Sequence, residues 1–179
     1  TVLNFIKRKK YDDAINLLEN FSKINENSNF VHRMLGLVYL NKKQWEKSLL
    51  NYQKISEEEI NFEISNNMGV ALYKLGKFSG ASIKFQEAIN NNNFYAPAYE
   101  NFCVTNKLLG KYDLAIEFSI KALNLFPSNN KIKNNLIDIF NYVKPKNNTN
   151  LILQTNSQIL NLNLENNKDK FVKVSSLGK

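Results

Sequence analysis

Met68-Gly69-Val70-Ala71-Leu72-Tyr73-Lys74-Leu75-Gly76-Lys77-Phe78-Ser79-Gly80-Ala81 is the stretch that decides the fold, because the chain repeats its pattern. Laid on itself, the sequence aligns Leu35-Gly36 with Met68-Gly69 and Phe102-Cys103. Three further columns follow: Trp45, Phe78 and Tyr112; Ser48, Ala81 and Ala115; Ile55, Ala88 and Ala122. The step is 34 residues between the second and third copies and one shorter between the first pair. A period of that length marks a stack of helical hairpins, each unable to bury its apolar face alone.

Each column has a physical reason. Antiparallel helices approach closely only where side chains are small, which places Gly36, Gly69 and Cys103 opposite Ser48, Ala81 and Ala115. Trp45, Phe78 and Tyr112 open the second helices, and Tyr52 and Phe85 fill the space between hairpins, with Ser119 a weaker filler in the last full unit. Gly76 and Gly110 fall between the helices, where a left-handed residue is wanted, and Lys43 takes that place one unit earlier.

These columns resemble the tetratricopeptide repeat (TPR) family, through Leu35-Gly36, Tyr39, Ser48 and Tyr52 in the first set and Pro127 at the family's final proline. The resemblance implies an all-α fold, a right-handed α-solenoid of about four hairpins plus a C-terminal capping helix. Full units are expected at 29–61, 62–95 and 96–129. Ile60 and Asn93 replace the final proline, and His32 and Ser65 stand where the family often has Trp. Asn106 replaces a core aromatic, so the third full unit is expected to be the least tightly packed.

Residues 1–28 read as an incomplete hairpin, with Phe5 late in its first helix and Tyr11, Ala14, Leu18 and Phe21 in its second. A solenoid end normally carries a polar cap, so an opening inside a hairpin points to a longer protein. Residues 130–145 read as the first helix of a further repeat, capped by Ser128 or Asn129 and stopped by Lys144-Pro145. The remainder, 146–179, is expected to hold a linker, a capping helix over Leu151 to Leu164 and a loose tail.

The formal net charge is +8, from 24 Lys and Arg against 16 Asp and Glu. Only Lys7 to Lys10 forms a tight basic run and no basic stripe carries interleaved aromatics, which argues against nucleic acid as the partner. With one cysteine, Cys103, and one histidine, His32, the chain has no internal disulfide and no zinc site. No apolar run approaches a membrane span, so a cytoplasmic protein without cofactor or metal is expected. Nucleophile–base pairs and glycine-rich phosphate loops are likewise not apparent, and Cys103 belongs to a packing column; no catalytic residue is assigned.

Function is therefore sought in the groove lined by the first helices. Asn67, Asn101 and Asn135 recur at one position in successive units, and carboxamides at that step can hold an extended peptide backbone through paired donors and acceptors. The arrangement resembles the asparagine ladder in the TPR superhelix of the O-linked N-acetylglucosamine transferases; Met34 breaks it one unit earlier. A carboxylate clamp is only partly present: Arg33 and Asn67 fit, but Leu37, Pro97 and Asn101 occupy its other places. Lys74 and Lys107 add positive charge, countered by Glu63, Glu100 and Asp138. The expected function is a non-catalytic scaffold binding a protein or extended peptide segment. One alternative is the substrate-recruiting arm of a larger glycosyl-, methyl- or sulfotransferase. The other is an assembly module that self-associates through uncapped solenoid ends.

Overall fold

Each second helix of the full units starts on the aromatic that opens its column, and its first helix lies antiparallel before it. A computed structural model describes residues 1–24 and 28–143. Its helices are α1 (Val2–Lys7), α2 (Tyr11–Ser22), α3 (Asn29–Asn41), α4 (Trp45–Tyr52), α5 (Phe62–Lys74), α6 (Phe78–Asn91), α7 (Ala96–Leu108), α8 (Tyr112–Leu125) and α9 (Asn130–Val143). Consecutive helices pack on each other, and α3, α5, α7 and α9 also touch in succession. That second set of contacts makes the first helices one continuous wall. The linker, capping helix and tail expected over 146–179 lie outside the described residues.

The turns within hairpins share one backbone solution. Gly76 (φ +74) and Gly110 (φ +72) are left-handed, and Lys43 (φ 62) and Lys9 (φ 58) hold the equivalent places in the other two turns. A non-glycine residue there costs about 1–2 kcal/mol. At the other end of the hairpins, side chains cap the incoming helices. Asn61 Oδ1 accepts from the Ile64 amide at 3.0 Å, and Asn129 Oδ1 accepts from Lys131 and Ile132 at 3.0 and 3.2 Å. Asn129, rather than Ser128, is thus the cap of α9.

The small-residue column works at two contacts. Ser48 Oγ donates to the Gly36 carbonyl at 2.8 Å. A Cβ placed on Gly36 would meet the Tyr52 ring at 2.6 Å, and one on Gly69 would meet Phe85 at 2.6 Å. The aromatics therefore fill their own hairpin as well as the space to the next. The third full unit sits inside the largest apolar cluster, with Tyr99, Phe102, Ile116 and Leu123 buried alongside Leu136 and Ile139 of α9. Asn106 does not loosen it: fully buried, it exchanges hydrogen bonds with Ser82 (3.0 and 3.2 Å) and donates to the Phe102 carbonyl at 2.9 Å. A buried carboxamide with its partners in place costs little.

Candidate peptide-binding groove

Position within the first helices decides what reaches the groove. The column before the small-residue pair, which carries Asn67, Asn101 and Asn135, is half-buried in each of the three units. Asn67 Nδ2 donates to Tyr52 Oη at 3.2 Å, and Asn101 Nδ2 donates to Asn66 Oδ1 at 3.0 Å. Each of these bonds ties one unit to the one before it and uses one of the amide's two protons. Burial pushes the Tyr52 hydroxyl well above its ordinary pKa, so it stays protonated and able to accept from Asn67.

A cavity of about 470 Å³ opens between α5, α7 and α9. Asn101 and Asn135 of the sequence ladder line it, joined by Asn134, so three carboxamides face one space. Val70, Val104 and Phe85 supply its apolar lining, together with Tyr73. Lys74, Lys131 and Glu100 supply the charge. Lys74 makes no ion pair among the described residues; its Nζ stands 5.8 Å from the Tyr73 ring centroid. Glu100 is more occupied, accepting from Asn129 Nδ2 at 2.8 Å and Lys131 Nζ at 3.2 Å.

The other candidates named from sequence lie outside this cavity. Arg33 pairs with Glu63 at 2.8 Å and Lys107 with Asp138 at 3.6 Å, each bridging adjacent first helices. Arg33–Glu63 and Glu100–Lys131 occupy the same two columns of the repeat with the charges exchanged. In the unit between, Pro97 stands where the partner charge would be, and the Asn66–Asn101 bond bridges the helices instead. Asn67 faces the wall one unit before the cavity. Asn134, Val70, Val104 and Tyr73 were not singled out from sequence, although their place beside the ladder columns was the available signal.

The remaining reactive side chains are packing groups. Burial pushes the Cys103 thiol up to about 12, opposed by a hydrogen bond with Ser119, which leaves it protonated at neutral pH. His32 is held below its ordinary pKa, first by burial and then by Lys54, against a raising hydrogen bond from Asn51. Among the described residues no group of three or more His, Cys, Asp or Glu is placed to hold a metal, and no helix is long and apolar enough to cross a membrane.

The sequence model of the coatomer epsilon subunit family matches residues 1–141, most of the chain. The chain belongs to the coatomer epsilon subunit family. Its fold is that of TPR proteins, as its similarity to solved structures shows. The crystal structure of MamA aligns with a TM-score of 0.75 at 19% identity, covering 93% of this chain and 95% of MamA. YrrB, a TPR protein with an unusual peptide-binding site, aligns at 0.72 and 15% identity over 90% of this chain and 82% of its own. The first TPR of Spaghetti (RPAP3), bound to the HSP90 peptide SRMEEVD, aligns at 0.60 and 22% identity over 65% of this chain and 93% of its own. No curated protein matches the chain.

Proposed function

We propose that this epsilon-subunit family member is a non-catalytic cytoplasmic scaffold whose concave face holds an extended segment of a partner polypeptide. The carrying observation is the cavity lined together by Asn101, Asn134 and Asn135 and by the apolar side chains of Val70 and Val104. Carboxamides offer a donor and an acceptor at each step of a peptide backbone, while Val70 and Val104 take one apolar side chain. Lys74, which has no carboxylate partner among the described residues, favours an acidic residue beside that side chain. Asn67 extends the contact one unit back, and Arg33 and Lys107 border it as charges shared with Glu63 and Asp138. Family membership supports a polypeptide partner, since the family is described as a subunit of an assembly. The peptide-binding site named for YrrB and the HSP90 peptide bound by the first TPR of RPAP3 support a peptide segment as the ligand.

The test compares partners captured from an extract of the source cells by the native chain and by an Asn134→Ala/Asn135→Ala variant. Neither residue makes a side-chain hydrogen bond that the fold uses among the described residues, so equal circular dichroism is expected. Loss of the captured polypeptides supports the groove. Undiminished capture removes it.

A further inference from the structure

The hairpins give the solenoid two edges, one made by the turns within hairpins and the other by the connections between them. Their charges differ. The four turns between α1 and α2, α3 and α4, α5 and α6, and α7 and α8 contain seven Lys or Arg among twelve residues and no acid. Arg8 to Lys10, Lys42-Lys43, Lys77 and Lys111 are these cations. The described residues of the opposite edge carry Glu57-Glu58-Glu59 against Lys23 and Lys54. Ion pairs among the described residues engage only Lys10, with Asp13, and Lys42, with Asp12. The rest of the row is exposed and makes no ion pair among the described residues, although Asp12, Asp13, Glu46 and Asp113 stand in the first turns of the helices that follow.

Backbone geometry is a second, independent sign. Lys9 and Lys43 occupy the left-handed position that the other two turns give to Gly76 and Gly110. Asn tolerates that conformation better than Lys, and this chain uses Asn at roughly one residue in six, yet Lys stands in both places. Strain kept where a cheaper residue is available marks a position held for its side chain.

We infer that the within-hairpin turn edge is a second docking surface, for an acidic polypeptide segment lying along the solenoid and separate from the concave groove. Stacked first helices advance about 10 Å per unit, close to three residues of an extended chain, so a carboxylate at every third position meets one turn after another. Chemistry disfavours the other polyanions. The aromatic that follows each turn, Tyr11, Trp45, Phe78 or Tyr112, is half-buried and packed against apolar or aromatic neighbours of the solenoid, so no free ring is offered along the row for a base to stack on. Leu75 and Leu109, the apolar residues of the turns, are half-buried and unavailable for insertion into a bilayer.

The experiment measures binding of a synthetic peptide with glutamate at every third position, separated by Gly and Ser, to the full chain at physiological salt. An edge variant carries Lys9→Gly, Lys43→Gly, Lys77→Gln and Lys111→Gln; a control loses the same charge through Lys23→Gln, Lys54→Gln, Lys121→Gln and Lys133→Gln. The expected result is a loss of about tenfold or more for the edge variant, about twofold or less for the control, and no fall in the melting temperature of the edge variant. The Asn134→Ala/Asn135→Ala groove variant is expected to bind this peptide as the native chain does. Equal losses in the edge and control variants would overturn the proposal, as would loss in the groove variant. So would oligo(dT), or phosphatidylserine vesicles, binding more tightly than the peptide with the same dependence on the edge lysines.

Discussion

Unit 62–95 packs Phe85 of α6 against bare backbone at Gly69 of α5, whereas unit 96–129 sets Ser119 of α8 beside Cys103 of α7. The two columns exchange sizes: where the second helix gives a ring the first gives no side chain, and where the second gives a hydroxymethyl the first gives a thiol. The third unit also places Phe102 and Phe118, the chain neighbours of that pair, with ring centroids 4.6 Å apart. What recurs between repeats is that neither partner of the pair is enlarged without the other shrinking, and where the pair is smaller, as at Cys103–Ser119, neighbouring side chains must complete the close packing that interiors require.

The largest effects come from breaking this complementarity on one side. Phe85→Ser empties the ring's place and is expected to cost about 3–5 kcal/mol of stability. Gly69→Cys drives a side chain into that ring and is expected to cost about 1–3 kcal/mol. Combined, they import the solution of the third unit, and urea unfolding should show them less destabilising together than their sum, by about 0.5–3 kcal/mol. Strict additivity would mean that the columns do not compensate.

A second, smaller difference is the Asn106–Ser82 bridge, which the third unit has where the second has Leu72. Ser82→Ala leaves the buried carboxamide short of a partner and is expected to cost about 1–3 kcal/mol; Ser82→Ala with Asn106→Leu should recover most of it. Unfolding midpoints of the single and double variants check this directly.

Much of this organisation is legible in the sequence and some is not, for identifiable reasons. Trp45, Phe78 and Tyr112 mark the second helices because an aromatic at a helix start recurs at the repeat period, and α9 is bounded by its own apolar spacing. The third unit reads as loose because Asn106 puts a carboxamide in the column that holds Tyr39 and Leu72 in the units before it. Its partner Ser82 lies on the second helix of the preceding unit, a contact that pattern within one repeat does not contain. The same limit applies at the groove. The register of Asn67, Asn101 and Asn135 follows from the period, but the bonds to Tyr52 and Asn66 depend on how units stack. The Arg33–Glu63 and Glu100–Lys131 exchange is readable only once the columns of neighbouring units are known to touch.

The smallest expected effect concerns pH. His32, Ser65 and Tyr99 share one column, and His32 Nδ1, Ser65 Oγ and Tyr99 Oη are each buried without a hydrogen-bond partner. Only the first titrates near neutrality. Its folded pKa is lowered, so below about 6.5 the unfolded chain takes up a proton that the folded chain does not, and stability falls as pH drops through that point. His32→Gln should flatten the dependence of the urea midpoint on pH just below 6.5, while Ser65→Ala leaves the slope unchanged. An unchanged slope in His32→Gln would show that this histidine titrates alike in both states.

The most direct test of the account as a whole places a photo-crosslinking residue at Val104, which lines the cavity, or at Ile83, exposed on α6, and illuminates each in extract. A partner polypeptide trapped from Val104 and not from Ile83, and lost when Asn134 and Asn135 are changed to Ala, is the predicted result. Crosslinks from Ile83 with none from Val104 would contradict it and move the binding surface off the concave wall.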